Sequence, residues 1–194
     1  MKKTRNAAMI TIQRATQRVD ANACATERSS TTRPPGRNQT VEASELVIQY
    51  ALPNRRGLPH RRSLQRWAAA TGAHRITVRF VGTIEGRALN KRYRGRDYAT
   101  NVLTFSYAET GRDKPGARGG RITAGDIVLC AAVVAKEARA QRKTLRAHYA
   151  HLVIHGLLHL QGHDHLRPVA AKRMEGLEQE ILAGLGYSDP YTPI

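Results

Sequence analysis

Apolar and polar residues alternate most clearly at 76–81, where Ile76, Val78 and Phe80 are interleaved with Thr77 and Arg79. That period of two predicts a strand with one buried face. Apolar runs at 46–50, at 101–107 (NVLTFSY) and at 122–130 predict three more strands, the middle one rich in β-forming residues. Helix formers between them predict helices over 60–71, 83–92 and 131–142. Thr144 can cap a long helix ending near Gly162. Pro168 suits the first turn of a last helix, and Gly184 and Gly186 suit its exit. Short strands mixed with helices, without strict alternation, predict an α+β fold. The expected architecture is a single domain over 44–194, a small mixed sheet covered by helices, with the strand order left open.

The first 43 residues have a different texture. Lys2, Lys3, Arg5, Arg14, Arg18, Arg28, Arg33 and Arg37 face only Asp20, Glu27 and Glu42, among Ser and Thr clusters and a Pro34-Pro35-Gly36 breaker. This stretch reads as a basic, disordered N-terminal extension. It also meets the compositional description of an organelle transit peptide, without a secretory apolar core.

Length and charge narrow the class. A chain of 194 residues with 41% hydrophobic residues suits one domain and one core. The longest unbroken apolar run, 127–135, falls well short of the roughly 18 residues a bilayer-spanning helix needs, so no membrane role is expected. Lys and Arg number 32 against 15 Asp and Glu, a net charge of +17. Such an excess attracts polyanions and makes nucleic acid the leading partner. Cys24 and Cys130 form no CxxC pair, so there is no thiolate metal knot or redox motif, and a cytoplasmic setting fits.

The chemistry is concentrated at 155–165, HGLLHLQGHDH. His155 and His159 are four apart on a predicted helix, so their rings leave the same face one turn apart. Gly162 can take the left-handed conformation that ends a helix, letting His165 turn back toward them. The result is a three-nitrogen metal site with an open position. Three imidazoles favour one zinc ion, although ligand type alone leaves nickel, copper or iron open. His163 is a weaker ligand candidate than His165. His151 lies about 6 Å along the helix axis from His155, too far for the same shell, so His151 and His148 are read as outer or solvent-facing groups. Asp164 can orient a histidine or cap its turn.

This spacing resembles the metzincin signature HExxHxxGxxH, but Gly156 stands where that signature has its general-base Glu, which removes the base for peptide hydrolysis. RNA makes a different demand, since its own 2′-hydroxyl or water can attack and the main need is charge stabilisation at phosphorus.

The same stretch closely resembles the HGxLHLxGYDH motif of the YbeY family. Leu89-Asn90-Lys91-Arg92-Tyr93-Arg94-Gly95-Arg96-Asp97 and Thr100-Asn101-Val102-Leu103-Thr104-Phe105 are similar to that family's LNxxYRxxDxPTDVLSFP stretch. Gly125-Asp126-Ile127-Val128-Leu129 looks like its GDIVI strand, and Leu185-Gly186-Tyr187 with Asp189-Pro190-Tyr191 looks like its C-terminal ending. Ala99, Asn101, Ser106 and His163 depart from the usual residues. The resemblance covers 45–194 and implies a zincin-like metal site with His155, His159 and His165 as ligands and Arg94 as the functional arginine. It further implies a single-strand-specific endoribonuclease acting in 3′ end maturation of small-subunit 16S rRNA and in ribosome quality control, with rRNA or the small ribosomal subunit as partner. Arg94 would offer a permanently charged planar fork to a phosphate. Arg55, Arg56, Arg61, Arg62, Arg66, Arg142 and Lys143 are further candidate phosphate contacts. The alternative from another class is a non-catalytic rRNA-binding assembly factor with a structural metal.

Overall fold

The structure is a computed structural model that describes residues 45–73, 75–107 and 124–192, together with the backbone of 11–13. Its elements in chain order are β1 (Thr11–Gln13), β2 (Glu45–Ala51), α1 (Arg61–Thr71), β3 (Arg75–Val81), α2 (Thr83–Arg94), β4 (Val102–Ser106), β5 (Ala124–Cys130), α3 (Ala131–Ala140), α4 (Leu145–Leu160) and α5 (Pro168–Gly184). The strands form one sheet in the order β1-β4-β5-β3-β2. β2, β3 and β5 run parallel, β4 is antiparallel to β5, and β1 is parallel to β4. The sheet is therefore mixed, and its helices are not in strict alternation with strands, as the α+β expectation required. The stretch read as a disordered tail supplies β1 at 11–13, and the remainder of 1–43 lies outside the described residues, as does the Gly- and Arg-rich loop at 109–120.

Alternation along the strands sends side chains to two faces. Ile76, Val78 and Phe80 of β3, Val102 of β4 and Ile127 and Leu129 of β5 join the larger cluster, with Leu64 and Trp67 of α1, most of α4, and Met174 and Leu182 of α5. Val81, Leu103, Phe105, Val128 and Cys130 point the other way, where Leu89 and Tyr93 of α2 and Val133 of α3 pack on them.

α4 is the centre of the larger face. All residues from His148 to Leu160 are buried, so over that span the helix has no solvent face and no amphipathic stripe. Thr144 caps its start by accepting from the Ala147 backbone N–H at 3.2 Å. Gly156 lets the helix lie close to the sheet, because a Cβ there would sit 3.1 Å from Ile127 Cδ1. Two boundaries differ from the sequence reading: α2 continues to Arg94 before Gly95, and α3 stops at Ala140, where Arg142 turns the chain with a positive φ of 55°.

Candidate metal centre and adjoining cavity

The last two turns of α4 deliver His155 and His159 on one face, and Gly162, at φ 88°, reverses the chain beyond them. His165 returns against both, with ring centroids 5.4 Å from His155 and 5.0 Å from His159, which are themselves 4.6 Å apart. One nitrogen of each imidazole falls within 4.8 Å of the other two.

Hydrogen bonds fix how these rings present themselves. His159 Nδ1 donates to the His163 carbonyl at 2.9 Å, and His155 Nδ1 donates to Glu178 Oε1 at 2.5 Å. In the neutral rings each Nε2 is then a bare lone pair, and the two Nε2 atoms face each other at 3.0 Å. Two acceptors at that distance repel unless a cation lies between them. Two nitrogens of a tetrahedral zinc site with Zn–N near 2.0–2.1 Å are separated by about 3.3 Å, so small adjustments suffice. The donor set fits a divalent ion of the zinc type.

The electrostatics agree. Burial, with the neighbouring His155 and His165, pushes the His159 pKa down to about 4, and burial with His155 lowers that of His165. Both shifts favour the neutral imidazole of His159 and His165, the form that binds metal.

Glu178 of α5, fully buried, is the residue that sequence reasoning missed. It receives His155 Nδ1, His151 Nε2 at 3.0 Å and the Tyr191 hydroxyl. Burial by itself would raise its pKa, but the hydrogen bonds from His151 and His155 outweigh it and hold the carboxyl near 2. Burial and the adjacent Glu178 push the Tyr191 hydroxyl upward, so it donates. Carboxylates that accept from a ligating imidazole fix its tautomer and raise its basicity. His151, His155 and Glu178 form a second group whose donor atoms lie within 4.8 Å. His151 is thus set behind His155 rather than facing solvent. No local spacing announces Glu178, which stands 23 residues from its partner, and only the burial of an acid on a helix face hints at it.

The remaining candidates divide. Gly156, at the position where a metzincin has its acid, carries no side chain and packs on Ile127 of the sheet. Asp164 accepts from the Leu166 backbone N–H at 3.1 Å and shapes the turn. Asp126 takes the Tyr107 hydroxyl. Arg94 ends α2, half-buried, on the helix that covers the opposite face of the sheet from α4. Arg55, Arg56, Arg61, Arg62, Arg66 and Arg142 are exposed, Arg55 lying 4.5 Å over the Tyr50 ring.

A cavity of about 290 Å³ opens beside the centre. Its lining includes His155 and His165, His148 and His151 of α4, and Glu137, Gln141 and Lys143. Arg94 does not line it.

Comparison with known proteins follows the same residues. The family described as Endoribonuclease YbeY matches 60–186. A protein named Endoribonuclease YbeY from Ralstonia nicotianae is 55% identical over 154 residues, covering 76% of this chain and 78% of its own. One of the same name from Cupriavidus metallidurans is 49% identical over 163 residues, covering 82% and 79%. The solution structure of TM1509 from Thermotoga maritima aligns with a TM-score of 0.47 at 22% identity, over 76% of this chain and 99% of that one.

Proposed function

The chain belongs to the YbeY family of endoribonucleases, and from that premise we propose that it is a metal-dependent endoribonuclease that cuts single-stranded segments of ribosomal precursor RNA. Its place is late maturation of the small-subunit 16S rRNA 3′ end and ribosome quality control, in the cytoplasm. The observation that carries this reading is the convergence of His155, His159 and His165, with lone pairs of two rings facing each other across 3.0 Å. Within the proposal these three residues hold one zinc ion, which would supply Lewis-acid polarisation of a phosphoryl oxygen.

The chain's own groups do the rest. Glu178 keeps His155 in the tautomer that leaves Nε2 free to hold the ion, and the His163 carbonyl does the same for His159. Arg94 binds a neighbouring phosphate through its guanidinium fork. The net charge of +17 draws the polyanion in, with the exposed arginines at 55–66 as positioning contacts rather than readers of sequence. A protease reading has no support at position 156, where glycine carries no side chain.

The test is cleavage of a labelled single-stranded fragment from the small-subunit rRNA 3′ end, by protein of measured zinc content, beside His159→Ala from the same purification. Cleavage that follows zinc and disappears in the variant, with RNA binding and folding retained, is expected. Equal cleavage by both proteins, or by neither, overturns it and favours a non-catalytic rRNA-binding assembly factor with a structural metal.

A further inference from the structure

Arg94 and the three histidines belong to opposite faces of the sheet, and the segment 95–101 is the piece of chain that joins their surroundings. It leaves α2 directly after Arg94 and ends at Asn101, which lines the cavity beside the metal centre. The segment is fastened along its length. Gly95 turns with a φ of 67° and gives its N–H to the Lys91 carbonyl at 3.0 Å. Asp97 accepts from Arg87 at 2.8 Å and from Lys91 at 3.3 Å. Asn90, fully buried in α2, donates from Nδ2 to the Tyr98 carbonyl at 2.7 Å, and Asn101 donates from Nδ2 to Glu137 at 2.9 Å. A buried amide thus holds the backbone of a residue whose side chain stands out, since Tyr98 is 50% exposed.

A single exposed aromatic residue is ordinary on a protein surface, but Tyr98 differs from its kind. Of the seven tyrosines, Tyr50, Tyr93 and Tyr149 pack their rings on phenylalanines, while Tyr107, Tyr187 and Tyr191 engage their hydroxyls. Among the described residues the Tyr98 side chain has no hydrogen bond and no ring or cation stacked on it. Its surroundings in the chain are basic. Asp97 is the one acid between Arg87 and Asn101 and is taken up by Arg87 and Lys91, which leaves Arg92 and Arg96 as exposed positive charges nearby. Three residues separate Tyr98 from the cavity-lining Asn101, a chain length of at most about 11 Å between their Cα atoms. A strand that meets both Arg94 and the metal centre therefore passes this segment.

Resting on the RNA-cleaving reading above, we propose that Tyr98 is a stacking platform for one unpaired base of the RNA, between the phosphate at Arg94 and the metal centre, and that it makes the protein favour single strands over duplex. Arg96 holds an adjoining phosphate. Stacking on an aromatic ring within a basic track is tolerant of base identity, because every base has a π-face. It demands an unpaired base, because in a duplex both faces are covered by neighbouring pairs. The rigid carbonyl anchor at Asn90 presents the ring without the ordering cost of a loose loop.

The experiment titrates the full chain with a short single-stranded RNA carrying 2-aminopurine and 2′-O-methyl riboses, and with the same sequence as a duplex. Binding of the single strand should quench the 2-aminopurine emission at one position. Tyr98→Ala should weaken single-strand binding about tenfold and abolish that quench, with duplex affinity and the urea midpoint unchanged. Tyr98→Phe keeps the ring and should retain both affinity and quench. The dependence of affinity on salt separates stacking from charge: its logarithmic slope should stay the same in Tyr98→Ala and fall by about 0.7 in Arg96→Ala, which keeps the quench. Unchanged single-strand affinity and quench in Tyr98→Ala, or an equal loss on single strand and duplex, overturns the proposal. A parent chain that binds and quenches the single strand but cuts no RNA overturns the endoribonuclease reading instead, and the stacking site stands.

Discussion

The two faces of the sheet are built to different depths. On one, α1, α4 and α5 bury a broad cluster that includes the whole of α4 from His148 to Leu160. On the other, α2 and α3 cover only Val81, Leu103, Phe105, Val128 and Cys130. The proposed metal ligands belong to the deep face and Arg94 to the shallow one. Metal ligation tolerates errors of only about half an ångström, so it belongs on an element whose rotamers are locked by packing. A long guanidinium that meets a phosphate can adjust, and a thin layer is enough to support it.

The largest test of this contrast compares leucines of similar burial. Leu157 of α4 is 0% exposed and Leu103 of β4 is 3% exposed. Leu157→Ala should cost about 3–5 kcal/mol, because dense packing on several sides cannot collapse onto the void, and Leu103→Ala closer to about 2–3 kcal/mol. Urea unfolding of both variants measures this, and equal or reversed losses would break the contrast.

Acid should act on the deep face first. In the unfolded chain His159 takes up a proton near pH 6.5, but in the folded chain only near pH 4. Between those values the unfolded state binds more protons, so stability falls as the pH is lowered from 6.5 to 4, by about 3 kcal/mol in all at 1.36 kcal/mol per pH unit. Glu178, held near 2 instead of 4.5, extends the loss downward through that range. On the shallow face Asp97 is also held near 2, chiefly by its hydrogen bond from Arg87, but the pair is exposed and contributes little. Circular dichroism of metal-free protein against pH follows the loss. A stability flat from pH 6.5 to 4 contradicts the burial of His159.

Smaller again is the expected effect of Glu178→Gln on zinc. Loss of the charge behind His155 should weaken zinc binding by about 10–100-fold, as removal of such carboxylates does elsewhere. Competition against a chromophoric chelator reads it directly. Unchanged affinity, with the fold intact, would mean that the buried network only ties α4 to α5.

These residues also show what the sequence could disclose. The His155–His159 pair follows from helix periodicity, and Gly162 from the need for a positive φ, so both are local and legible. The strand at 76–81 was legible because its alternation survives in the burial of Ile76, Val78 and Phe80. Glu178 was not, because its partnership with His151 and His155 exists only through the packing of α5 on α4. The same holds for Asn101, Glu137 and His148, brought from a loop and two helices to the lining of one cavity. The strand order, too, depends on which parallel crossovers the helices permit rather than on any short pattern. The limit of α3 moved because Arg142 adopts a conformation that propensity does not encode.

The smallest change in fold and metal content is expected at Arg94, where the contrast between the faces is sharpest. Arg94 is the last residue of α2, half-buried, outside the lining of the cavity and on the shallow side. Arg94→Ala should therefore leave zinc content as in the parent and change stability by no more than about 0.5–1 kcal/mol. Cleavage of single-stranded RNA should nevertheless drop at least tenfold, since a charged donor at a phosphate has no substitute in alanine. Lysine restores the charge but not the planar fork, so Arg94→Lys should recover only part of the rate. Zinc content, urea midpoint and cleavage rate measured on the same preparations separate the cases. Full activity in Arg94→Ala would confine the mechanism to the deep face, and loss of zinc would mean that the shallow face holds the ligands in place after all.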